Sequence, residues 1–160
     1  MNACVLNSCP TAVTSLPLPT VLSPFCAIIR SPLSTGPITS TALTSLHNFF
    51  VCGLIGPDAL SLTAALSELS NAISRCKFET SDSSGDEVVL LKIMTIIQDT
   101  LCGSVGDLLG DVEVCEMLET VLTTCCQMRL SGEYSVQLRD VALILGKRYF
   151  VDLLRPPCMR

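Results

Sequence analysis

Apolar residues recur at helical spacing along most of this chain, and the pattern is strongest over residues 86–131. There Val114, Met117, Leu118, Val121, Leu122 and Cys125 repeat every three to four positions, with Glu113, Glu116, Thr120, Thr123 and Gln127 between them. That spacing predicts a two-faced helix over 111–131. The segment before it, 86–102, is apolar almost all round, and only Lys92, Thr95 and Asp99 form a narrow polar stripe. A helix with so little polar face must be covered on more than one side. The pair is therefore expected to be an interior layer of a helical stack rather than a free hairpin. Aspartate at Leu118 or Val121 should then unfold the chain, because a buried charge lacks a partner.

Earlier elements follow from local signals. Ser23-Pro24 reads as an N-cap followed by proline at the first helical position, giving a short helix over 24–30 that buries Phe25, Ile28 and Ile29. Gly36-Pro37 opens a helix over 37–52 with Leu43, Leu46, Phe49 and Phe50 inward, and Gly53 stops it. Gly56-Pro57-Asp58 makes a corner before a helix over 59–77, whose Leu62, Leu66, Leu69, Ile73 and Cys76 form a clean stripe. Arg75 and Lys77 fall in its last turn, where positive charge complements the helix dipole. The loop over 79–85 reads as plain surface. Asp86 and Glu87 begin the next helix, and Asp111 caps the one after it. Residues 134–154 allow a last helix, weakened by Gly146. Residues 1–20, with Pro10, Pro17 and Pro19, show no period and are expected to be a disordered leader. Successive helices with short corners predict an all-α, armadillo- or HEAT-like stack of antiparallel helices, although no clean sequence repeat is visible.

Composition narrows the use of such a stack. The chain is 160 residues long, enough for one domain with a real core. Mean hydropathy is +0.55, high for a soluble domain, and suits a piece of a larger helical array. Charge is uneven: residues 1–57 contain a single charged side chain, Arg30, whereas 58–133 carry thirteen acidic and four basic groups. Residues 134–160 carry five basic and two acidic groups. An acidic middle argues against a nucleic-acid surface, which needs clustered Lys and Arg. Residues 38–55 are long enough for a membrane span, but Thr39, Ser40, Thr41, Thr44, Ser45, His47 and Asn48 crowd them, so a buried helix is expected.

Candidate chemistry is sparse. Of ten cysteines, Cys76, Cys102, Cys115, Cys125 and Cys126 sit in apolar helical positions, where a free thiol acts as a small hydrophobe. That usage predicts a reducing, cytosolic setting. With no CxxC and one histidine, no structural zinc site is expected. His47 has no carboxylate or cysteine near it in sequence and reads as a packed or capping side chain. Gly103, Gly106 and Gly110 suggest a glycine loop, but without a preceding strand or a lysine they read as a corner. Glu113, Glu116 and Glu119 could bind a cation or work as acid and base, but read as a solvated face at a helix start. No catalytic, cofactor or metal residue is assigned. The residues alone predict a helical interaction scaffold.

Two stretches go further. Leu22-Ser23-Pro24-Phe25, Thr35-Gly36-Pro37-Ile38-Thr39 and Ala42-Leu43 lie in residues 22–55. Asp86-Glu87-Val88-Val89-Leu90, Lys92-Ile93, Val114-Cys115-Glu116 and Met128-Arg129-Leu130-Ser131 lie in 86–131. In order and spacing they resemble the N-terminal dimerisation and cyclophilin-binding domain of large Arf guanine-nucleotide exchange factors of the Golgi type, the brefeldin A-resistance and GNOM class. The resemblance covers about 21–131; after Ser131 the chain departs from the family as a divergent tail, 132–160, and a truncated or mis-spliced fragment is one account of both ends. It implies an armadillo-like, non-catalytic regulatory module of a factor acting in Golgi vesicle traffic. It also implies self-association, contact with the downstream regulatory domain of the same factor, and cyclophilin or a small GTPase as further partners. Peripheral recruitment to Golgi membranes from the cytoplasm goes with it, with no transmembrane segment. The exchange reaction would belong to a separate domain. The alternatives are an unrelated helical adaptor that binds a peptide or partner helix, and more remotely a small enzyme.

Overall fold

A computed structural model of the chain describes residues 16–76, 83–127 and 143. The 1–20 leader, the 79–85 loop and, but for Leu143, the 134–154 helix lie largely outside them. Where described, residues 18–20 and 83–85 are helical, which corrects the leader and the loop at those ends, since each adjoining helix starts earlier than its cap signal. Among the described residues five α-helices and one short 3-10 turn follow one another, and no strand occurs. The helices are α1 (Leu18–Arg30), α2 (Gly36–Val51), α3 (Leu62–Ser74), α4 (Ser83–Cys102) and α5 (Asp111–Gln127), with the 3-10 turn Gly106–Leu108 between the last two.

Helix α1 corrects the first expectation. It begins at Leu18, and Pro24 lies inside it rather than at its start. Its buried stripe, Leu18, Leu22, Cys26 and Ile29, runs straight through the Ser23-Pro24 signal. Pro24 is on the exposed side, where the lost i→i−4 bond leaves a carbonyl open to water. Phe25 and Ile28 are only partly buried. No side chain caps the helix; instead the Leu18 amide donates to the Leu60 carbonyl at 2.9 Å, satisfying one orphan donor from the loop before α3.

In α2 the many hydroxyls that spoiled the membrane reading are accommodated locally. Thr41, Thr44 and Ser45 donate to the carbonyls of Pro37, Ser40 and Thr41, one turn back. Inside, the Thr39 hydroxyl donates to Ser34 Oγ at 2.9 Å, beside Ala42, Leu43 and Leu46. Among the described residues no helix is long and apolar enough to cross a membrane.

Helix α3 is shorter than the 59–77 predicted. Ser61 sits in the left-handed region at φ 61°, a conformation that cannot be continued into a right-handed helix, so Ala59 and Leu60 stay in the corner. Its last turn carries no basic residue: Arg75 is the C-cap, and Lys77 lies outside the described residues. Leu62, Leu66, Leu69 and Ile73 are buried as expected, joined by Ala65, Ser70 and Ala72, while Cys76 falls beyond the helix.

The packing order is every second helix. Helix α1 lies on α3 and α3 on α5 in one layer; α2 lies on α4 in the other; α1 and α2 join the layers. By contrast α4 and α5, adjacent in sequence, touch only lightly. Each therefore docks on an earlier helix, which is how stacked helical repeats bury their faces. Helix α4 is the inner element: no residue from 87 to 102 is exposed. Phe25 and Phe49 tie α1 to α2 edge to face, with ring centres 5.2 Å apart.

Helix α5 is rotated from the expected face. Met117, Val121 and Thr124 are buried, Val114 and Leu118 are half-buried, and Leu122 is 60% exposed. Asp111 is the first helical residue rather than the cap. The side chains of Cys125 and Cys126 lie outside the described set.

Candidate interaction surfaces

The polar stripe of α4 is a seam against α2. Lys92 Nζ donates to Thr44 Oγ1 at 2.6 Å and to the Ser40 carbonyl at 3.3 Å. Two turns on, His47 Nδ1 and Asp99 Oδ2 lie 2.6 Å apart. The residue between them, Thr95, bonds back to its own Leu91 carbonyl. Because Ser40 and Thr44 meet Lys92 while His47 meets Asp99, α2 and α4 run parallel. The carboxylate that sequence could not find for His47 is thus 52 positions away. Both side chains keep some solvent contact, at 40% and 25%, so the pair fixes register more than it stabilises, contributing about 0–1 kcal/mol. Arg30 and Glu68 tie α1 to α3 at 3.4 Å in the same manner.

The glutamates named from sequence differ in burial, and Glu116 and Glu119 border the α3–α5 groove. The Ser70 hydroxyl on α3 lies 3.4 Å from both the Glu113 carbonyl and Glu116 Oε2, whereas Glu119 is exposed. Among the described residues no three metal-ligating side chains converge. Gly103 and Gly106 shape the α4–α5 corner, and their amides bond to the carbonyls of Asp99 and Gly103.

Among the described residues, two of the open apolar surfaces lie on helix faces. One is a groove between α1 and α2, lined by Phe25, Ile28, Pro37, Ile38, Thr41, Ala42 and Ser45. Ile38 is 53% exposed there, and Leu33, in the α1–α2 loop, is 87% exposed. The other is the outer side of α5, with Val112 68% and Leu122 60% exposed.

The cysteines divide by burial. Cys26 is buried and Cys76 half-buried, while Cys52 and Cys115 are exposed, which corrects the apolar packing expected of Cys115. Desolvation pushes the Cys26 thiol up to about 12, with the Glu68 carboxylate adding to it and Arg30 opposing. Desolvation alone takes Cys76 to about 11. The thiolate is the nucleophile, so Cys26 should alkylate roughly a thousandfold more slowly than an ordinary thiol. Iodoacetamide pulse-labelling of the native chain, read by peptide mass spectrometry, should modify Cys52 and Cys115 first and Cys26 last.

Comparison with known proteins gives these surfaces a context. No family model matches the chain. An uncharacterised protein of Schizosaccharomyces pombe is 39% identical over 126 residues, 78% of this chain and 9% of that protein. ARF guanine-nucleotide exchange factor 2 of Saccharomyces cerevisiae is 34% identical over 112 residues, covering 70% of this chain and 8% of that protein. The chain belongs with the large Arf guanine-nucleotide exchange factors. The Golgi-specific brefeldin A-resistance guanine nucleotide exchange factor 1 homolog of Caenorhabditis elegans agrees, at 33% over 124 residues, 77% of this chain and 6% of that protein. Each of these alignments takes in at least 70% of this chain, so an unrelated adaptor is not favoured. The chain spans less than a tenth of the exchange factors it matches. It corresponds to a short, all-helical stretch of an Arf exchange factor.

Proposed function

We propose that this stretch, with residues 21–131 as the domain, is a regulatory module of the dimerisation and cyclophilin-binding type. It works by pairing with a second copy and contacting the downstream regulatory domain, and not by catalysing nucleotide exchange. Cyclophilin and small GTPases are further partners of the same module. It acts from the cytoplasm, held peripherally at Golgi membranes through the parent factor. The observation that carries the reading is the α1–α2 face. It is an open apolar groove with exposed Leu33 and Ile38, in a part of the chain whose one charged side chain, Arg30, is paired to Glu68. An uncharged apolar face meets its own copy without like-charge repulsion, as a two-fold interface requires.

Light scattering on the full chain tests this directly. The expected result is a dimer, made monomeric by Ile38→Asp or Leu33→Asp with little change in melting temperature. A wild-type monomer that also fails to capture the downstream region of an exchange factor would overturn the reading. Acceleration of nucleotide exchange on Arf by this chain alone would overturn its non-catalytic part.

A further inference from the structure

The side of α5 that points away from the stack is not the charged face such a position calls for. Each helical residue advances by about 100°, so Val112, Cys115, Glu119 and Leu122 fall on one line. That line is opposite buried Met117, Val121 and Thr124. All four outer residues are exposed. Their spacing of three, four and three is the seam spacing by which one helix receives another. At its centre stands a carboxylate, Glu119, for which no ion pair is found among the described residues.

We propose that this stripe docks an amphipathic helix of a partner protein, one that seats apolar residues on Val112, Cys115 and Leu122 and presents a lysine or arginine to Glu119. Charge decides the occupant. Helix α5 carries Asp111, Glu113, Glu116 and Glu119 and no Lys or Arg. A second copy laid on this face would bring a second Glu119 into the seam, within the field of the other α5 carboxylates, and like charges facing each other there are unfavourable. A basic helix removes that repulsion and supplies a counter-charge that Glu119 does not find among the described residues. Arg75, at the rim of the α3–α5 groove beside Glu116 and Glu119, is outnumbered by the carboxylates. The proposal does not rest on the self-association reading, because α1 and α5 are separated by α3 in the layer.

Two labelled 21-residue helical peptides test it by fluorescence anisotropy against the full chain. Both carry leucines at seam spacing; one has lysine at the central seam position and the other glutamate. The lysine peptide is expected to bind at least about tenfold more tightly, and Glu119→Lys to reverse that preference. Leu122→Asp should abolish binding of either peptide while melting stays as in the wild type, with Val112→Asp as the second variant. Equal binding of the two peptides would overturn the proposal, as would binding unchanged by both aspartate variants. A wild-type dimer that Leu122→Asp makes monomeric would assign the stripe to a second copy and overturn it as well.

Discussion

Ile97→Asp should leave a chain with no cooperative unfolding transition. Ile97 is fully buried on α4, among Ile93, Met94, Ile96 and Leu101. These positions, with Val89 and Thr100, take up nearly half of the helix circumference. On the flank of that face Lys92 and Asp99 contact α2. A carboxylate placed at 97 therefore has neither water nor a counter-ion, and its burial costs several kcal/mol on top of the lost apolar contacts. Against a total stability of about 5–15 kcal/mol, that is enough to unfold a domain this size. Ile97→Ala measures the packing part alone, at about 2–5 kcal/mol in urea denaturation followed by circular dichroism. Leu122→Asp, on the outer side of α5, should stay within about 0.5 kcal/mol of the wild type. A normal melt for Ile97→Asp would show that α4 is not the inner element.

The same ranking separates substitutions that sequence treats alike. Val121 is buried at 4% and tolerates aspartate no better than Ile97, whereas half-buried Leu118 should lose less. Pattern alone placed Val114, Leu118 and Leu122 with Met117 and Val121 because all five are apolar at helical spacing. It could not know that Thr124 turns inward while Val112 and Leu122 turn outward. An apolar residue kept on the outside shifts the apparent axis of the stripe, so the error and the proposed docking face have one origin. Where nothing functional competes, as in Leu62, Leu66, Leu69 and Ile73, the pattern located the buried face directly. The Ser23-Pro24 signal misled for a different reason. An exposed proline removes one ladder bond but does not stop a helix whose stripe is held from Leu18 to Ile29. The order of packing was legible only as a class. That α4 binds α2 and α5 binds α3 depends on contacts 52 and 46 residues apart in sequence, such as His47 with Asp99 and Ser70 with Glu116. Such pairs leave no local trace.

Gly106→Ala is expected to destabilise the chain by about 1–3 kcal/mol, more than any surface change, through backbone rather than side-chain crowding. Gly106 is buried in the corner after α4. A Cβ built there would lie 2.3 Å from the Leu101 carbonyl oxygen and 3.0 Å from its carbon, with the Thr100 oxygen at 3.3 Å. All three are main-chain atoms of the last turn of α4, so no rotamer change relieves the contact. That turn must open or the 3-10 segment Gly106–Leu108 must swing away. Either movement shifts α5, because the corner sets how α4 hands the chain to the opposite layer. The close approach also explains why the run Gly103, Gly106 and Gly110 resembles a phosphate loop without being one. Its glycines let the chain pass against a helix end, and among the described residues no lysine lies in that corner. Thermal unfolding of Gly106→Ala checks the cost. Gly53→Ala provides the contrast: its added methyl meets nothing within 4 Å, so its penalty comes only from φ 75° in the left-handed region. If the two variants lost stability equally, crowding against Leu101 would not be what glycine 106 relieves. If Gly106→Ala also weakened labelled-peptide binding to α5 in proportion to its loss of fold, the corner would be what aims that outer stripe.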